Sequence, residues 1–251
     1  EHTDTAKIRK IFNKINKYAK QTSRSDNIIT SDDDTFAVIV RRLIREGGPL
    51  APIGKIDLVN WKSNTLSQRS KNLTTLSALY TIAETMLKDE NFSSKLLPED
   101  ERLEEAYQRV ADFWSVSLSH INAFRQYLDL TEQDLPVSKL REENLLLKPV
   151  TQMALAHVAL MAQRKGISWV SIVDKLNMID WSFDNDMWFN ILVIGSANKK
   201  MITGKDSIRS AGAVISYMLM GDRMTQAEIA DVRQIIRNAK NDENATLPSM
   251  V

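Results

Sequence analysis

Between Lys7 and Arg24 the chain carries seven cations (Lys7, Arg9, Lys10, Lys14, Lys17, Lys20 and Arg24) and no acid. Asn13, Asn16, Gln21, Thr22 and Ser23 are interleaved with them, and such side chains hydrogen-bond phosphate oxygens or base edges. Each cation set against a duplex backbone would release a counterion, so the chemistry this run suits is recognition of a polyanion. A second cluster, Lys62 to Lys71, combines three cations (Lys62, Arg69, Lys71) with four hydroxyls and again no acid. Arg41, Arg42 and Arg45 add positive charge nearby in sequence. The bland alternative is a solvated basic helix followed by a flexible loop, and the residues alone leave it open.

Other chemistry does not assemble. His2, His120 and His157 are scattered with no metal-ligand spacing, and there is no Cys, so disulfides, thiolate nucleophiles and Cys-based zinc sites are excluded. Ser119 and His120 are adjacent and point in different directions on a helix. Gly204-Lys205-Asp206-Ser207 resembles half of a phosphate loop, but Lys199 stands where the earlier Gly belongs. Asp184, Asn185 and Asp186 are read as helix capping before Met187, and Glu104-Glu105 and Glu142-Glu143 as solvated faces. His157 falls in the most apolar segment and reads as a core histidine. No catalytic residue, metal or cofactor is assigned.

The elements that must hold the basic residues are helical. Ile8, Ile11, Phe12, Ile15 and Ala19 recur at helical spacing, which puts Arg9, Asn13, Asn16 and Lys20 on one flank and Lys7, Lys10, Lys14 and Lys17 behind. Gln21 to Thr30 reads as a loop, after which Ser31 caps a helix ended by Gly47-Gly48-Pro49. Short extended pieces are expected within 51–72, around Ile56 to Val59. Helices follow over Thr74 to Lys88 and from Pro98 to about Leu128. Met153 to Ala162 is apolar on nearly every side and predicts a central buried helix, stopped by Gly166. Further helices are expected over 168–178, 186–195 and 206–220, and a last one after the capping box Thr225 to Glu228. The fold class is all-α, a multi-helix globular protein with room for two helical lobes. Residues 1–128 form a basic-then-acidic lobe and 137–251 a C-terminal one, with Asp129 to Pro136 between them.

Composition bounds the setting. The 251 residues are 43% hydrophobic and 26% charged, ordinary for a folded chain, and the net charge is +1. That small figure hides a segregation: residues 1–80 hold 14 Lys and Arg against 8 Asp and Glu, whereas 81–145 hold 7 against 14. Such a pattern fits either a polyanion partner or attraction between the two segments. No apolar run is long enough to span a membrane, and the lack of Cys suits a reducing cytoplasm.

The basic segments also carry a resemblance. Phe12-Asn13-Lys14-Ile15-Asn16-Lys17-Tyr18-Ala19-Lys20, then Ser23, then Asp33-Asp34 leading to Arg41-Arg42-Leu43, resembles the F-x-x-I-N-x-x-A-K stretch of DGQHR-domain proteins. These include the DndB proteins of bacterial DNA phosphorothioation (DNA sulfur modification). Leu66-Ser67-Gln68-Arg69-Ser70 and Leu73 to Leu79 are similar to the segment that follows in that family. The resemblance implies the C-terminal portion of a DGQHR-like protein, since the Asp-Gly-Gln-His-Arg signature lies upstream of the F-x-x-I-N stretch and is absent here. It implies a double-stranded DNA partner, association with other DNA-modification proteins, and a role in transcription regulation. The nucleic-acid-binding residues expected are Arg9, Asn13, Lys14, Asn16, Lys17, Lys20, Arg24, Arg69 and Lys71. Two alternatives remain open. One is a helical protein-interaction module presenting exposed Trp114, Trp181 and Trp188; the other is a non-catalytic fragment of a nuclease-like enzyme.

Overall fold

The computed structural model describes residues 7–11, 24–195 and 198–251, and most of them are α-helical. Residues 7–11 are helical, as the spacing of Ile8 and Ile11 predicts, although both isoleucines of the expected apolar stripe are about half exposed, at 51% and 53%. Helix α1 (Arg24–Thr30) occupies part of the stretch expected as a loop. Its last turn closes because Arg41 donates to the carbonyls of Ile28 at 2.8 Å and Ser31 at 2.5 Å, orphan acceptors that no helical N–H reaches. Helix α2 (Thr35–Leu43) is capped by Asp34, not by Ser31: Asp34 Oδ1 accepts from the Phe36 and Ala37 amides at 2.9 and 3.2 Å. Its other carboxylate oxygen accepts from the Tyr80 hydroxyl at 2.8 Å, a tertiary bond Ser31 does not make. At Gly48 a Cβ would lie 2.4 Å from the Leu43 carbonyl oxygen, so the reversal after α2 needs glycine.

The extended piece expected before Asn60 is β1 (Val59–Asn60), which pairs in parallel with β2 (Thr74–Thr75). Thr75 then caps α3 (Leu76–Met86) through the Ala78 amide. The helix expected from Pro98 to Leu128 is interrupted. It forms α4 (Asp100–His120) and α5 (Asn122–Glu132), hinged at Ile121, whose ψ of 116° is extended. Asn177 holds the break: its Oδ1 accepts from the Asn122 amide at 2.8 Å, and its Nδ2 donates to the His120 carbonyl at 2.9 Å. Burial of Ile121 at the break keeps the apolar side of both halves inward.

Helix α6 (Ser138–Glu143) leads to α7 (Pro149–Arg164), the buried helix the apolar pattern predicts. Gly166 at φ +67° ends it. The two segments expected next as helices are instead 3-10 turns, Trp169–Ser171, Val173–Met178 and Asp186–Trp188, followed by the antiparallel pair β3 (Val193–Ile194) and β4 (Lys200–Met201). Trp181 and Trp188 stack with ring centroids 4.8 Å apart, and their indole N–H groups donate to the Leu176 and Asp180 carbonyls. Those backbone acceptors are thereby taken out of α-helical register. Helix α8 (Lys205–Met220) and the capping-boxed α9 (Gln226–Lys240) complete the chain.

One hydrophobic cluster runs from Ile28 to Ala239 and includes side chains from both sides of residues 129–136. Helix α7 is its axis, packed against α3 on one side and α8 on the other. Gly212 lets α8 approach closely, since a Cβ there would meet the His157 Cβ at 2.6 Å. Among the described residues no helix is long and apolar enough to cross a membrane. The tryptophans expected as exposed are core residues: Trp114, Trp181 and Trp188 are 0%, 4% and 0% exposed. Trp114 also packs against Phe113 and Phe124, so it offers nothing to a partner.

Candidate functional site

Of the expected phosphate-contacting residues, Arg9 lies exposed in the helical stretch 7–11, while Asn13, Lys14, Asn16, Lys17 and Lys20 lie outside the described residues. Arg24 opens α1, donates to Thr81 Oγ1 at 3.2 Å and sits 5.3 Å from the centroid of the Tyr80 ring, yet stays exposed. The Tyr80 hydroxyl beneath it is pushed well above its ordinary titration range, first by burial and then by its bond to Asp34. Arg69 is exposed and makes no ion pair among the described residues. Lys71 pairs with Asp134 at 2.5 Å, both half or more exposed, and a surface pair of that kind contributes little. Arg41 and Arg42 are used internally, the first on Asp32 and the α1 carbonyls, the second on Glu104 and over the Tyr107 ring at 3.8 Å.

The loop carrying Lys62, Arg69 and Lys71 is built, not slack. Asn60 Oδ1 accepts from the amides of Lys62 and Ser63, and Asn72 Nδ2 donates to the Asp57 carbonyl at 2.7 Å. Its far end is held from below by Arg141, 1% exposed, which donates to the carbonyls of Ser70, Asn72 and Leu147. Among the described residues no carboxylate pairs with this buried guanidinium, and its Nε has no hydrogen-bond partner. Beside it runs a cleft of about 460 Å³ that brings together Arg24 from α1, Asn64 and Thr65 from the loop, the first turn of α3, and Lys148 with the first turn of α7. Among the described residues, no acid lines it. Burial, and then the neighbouring Arg141 charge, pull the Lys148 ammonium down to about 8.

A family model described as DndB, DNA-sulfur modification-associated, matches residues 1–220. The chain belongs to the DndB family. No curated protein and no solved structure matches it.

In this DndB-family chain two cations that the sequence does not single out, Arg141 and Lys148, line the cleft. Arg141 is followed by Glu142-Glu143 and reads as part of a solvated charged helix face; only its 1% exposure sets it apart. Lys148 precedes Pro149, and that pairing marks a helix start, which is the one signal a sequence reader has for an anion-attracting end there. Asn185 behaves as its capping reading expects, its Oδ1 accepting from the Met187 amide at 3.0 Å.

Proposed function

We propose that this DndB-family protein binds duplex DNA through its basic face and acts as a regulator of the DNA sulfur modification genes. The observation that carries the reading is the acid-free run from Lys7 to Arg24. Its last cation, Arg24, shares a cleft with the Lys62–Lys71 loop. Arg9, Arg24 and Arg69 remain exposed, and Lys71 gives up only a weak surface pair to reach a phosphate. Lys14, Lys17 and Lys20 would contribute further phosphate contacts, with Asn13 and Asn16 organising the polar network around them. Contacts of this kind fix affinity and register, while base reading needs side chains in a groove.

Fluorescence anisotropy with a short labelled duplex tests the assignment. Affinity should fall linearly on a log–log plot against salt, and an Arg24→Ala/Arg69→Ala double variant should reduce the slope by about two. An unchanged slope would remove both residues from the interface. A reporter driven by the modification-gene promoter should then be derepressed, or lose its activation, when the same variant replaces the wild type.

A further inference from the structure

We infer that the cleft between α3 and α7 is a separate binding site for a small phosphate ester of mononucleotide size, free in solution. Four observations converge on it. The first is charge: Arg24, Arg141 and Lys148 line the cleft and, among the described residues, no acid does. The second is the state of Arg141, which is 1% exposed, has no carboxylate partner among the described residues, and keeps a buried Nε unpartnered. A guanidinium taken out of water without a counter-charge is costly, and an anion brought into the cleft supplies that charge. The third is the backbone. Helix α7 spans 16 residues, starts at Pro149 with no side-chain cap, and sends its first turn into the cleft. Helix α3 does so as well, with the hydroxyls of Thr75 and Ser77 at its N-terminal end. Both ends carry the positive pole of the helix dipole and attract an oxyanion.

The fourth observation is size and polarity. A volume of about 460 Å³ exceeds what an isolated phosphate fills and lies in the range of small-molecule sites. Besides the cations and hydroxyls, the lining includes apolar Leu66, Val150, Met153 and Met201. Methionines adapt to flat ring systems, so with the phosphate held by the cations a ring moiety would pack on Met153 and Met201. Lys148 would exchange its contact with the Phe183 ring, 4.9 Å from the ring centroid, for a charge-assisted bond to the anion. The resulting picture is an effector pocket adjoining the basic loop, because Arg141 also holds the Ser70 and Asn72 carbonyls next to Arg69 and Lys71.

Isothermal titration of the whole chain with adenosine 5′-monophosphate, and with inorganic phosphate as competitor, tests this. Saturable binding is expected, with phosphate displacing the nucleotide. Lys148→Gln should weaken it by about tenfold, the effect of removing one charge-assisted contact. Arg141 variants risk the fold, so the second variant is Thr203→Glu, which places a carboxylate on an exposed rim position of the same cleft and should abolish binding. Arg69→Ala, outside the cleft, should leave it unchanged. No saturable binding by wild type, or binding indifferent to both cleft variants, would overturn the inference. Arg24 serves both the cleft and the DNA face, so competition is read in Arg24→Ala: displacement of the nucleotide by duplex DNA that persists in that variant would also overturn the inference, assigning the cleft to the strand.

Discussion

Arg141 and Lys148 show how two cations of the same nominal charge play different parts in one place. Arg141 is structural as well as electrostatic: its guanidinium satisfies three carbonyls from two segments far apart in sequence. Arg141→Met keeps the volume but leaves those acceptors unpartnered, and although it relieves the buried charge, it should lower stability by about 2 kcal/mol in urea unfolding. Lys148 bears the cost of its burial as a depressed titration. The unfolded chain holds this proton up to the ordinary 10.5, whereas the folded one releases it from about 8. Between those values the unfolded state binds more protons, so this group makes the fold more stable as pH rises, not less. The groups acting on Lys148 are Arg141, which opposes its charge, and Glu142, which supports it. Comparing urea midpoints at pH 8 and pH 10, wild type should gain relative to Lys148→Met. Tyr127, raised to about 12 mainly by burial, works in the opposite direction above pH 10 and is present in both proteins, so the difference between them isolates Lys148.

At the scale of elements, long-range polar contacts override local pattern in several places. The break between α4 and α5 depends on Asn177, which satisfies a free amide and a free carbonyl that the hinge at Ile121 exposes. Asn177→Ala should therefore cost about 1–2 kcal/mol, measured by thermal or urea unfolding, with little change in helix content by circular dichroism. Where apolar spacing decides, as in α3 and α8, the sequence is legible to within two residues, and in α7 the apolar run marks the buried middle while the helix starts earlier, at Pro149; the Thr225 capping box is legible too, because both its partners are three residues apart. The misplaced elements share a different cause. Helix α1 is closed by Arg41, α2 is capped at Asp34 because Tyr80 reaches it, and the Trp181–Trp188 stack turns an expected helix into 3-10 turns. Each of these depends on a partner that no local window contains. The candidate site divides the same way. Its surface cations were legible as an acid-free run, while Arg141 was not, since its burial and missing counter-charge exist only once the chain has folded.

Across the whole molecule, the segregation of charge is partly consumed within the fold. Arg42 pairs with Glu104, Lys71 with Asp134, and Gln68 reaches Glu142, so the basic first third and the acidic middle are tied together by exposed contacts. Attraction between segments thus accounts for some of the pattern, while Arg9, Arg24 and Arg69, exposed and without an ion pair among the described residues, are left for the DNA reading. That reading assigns three phosphate contacts to Lys14, Lys17 and Lys20 of the run. The decisive measurement is the salt dependence of duplex affinity for wild type and a Lys14→Ala/Lys17→Ala/Lys20→Ala variant, recorded from low to physiological salt. The account predicts a steep wild-type slope that flattens by about three in the variant. A wild-type affinity indifferent to salt, or a variant that retains the full slope, would contradict it.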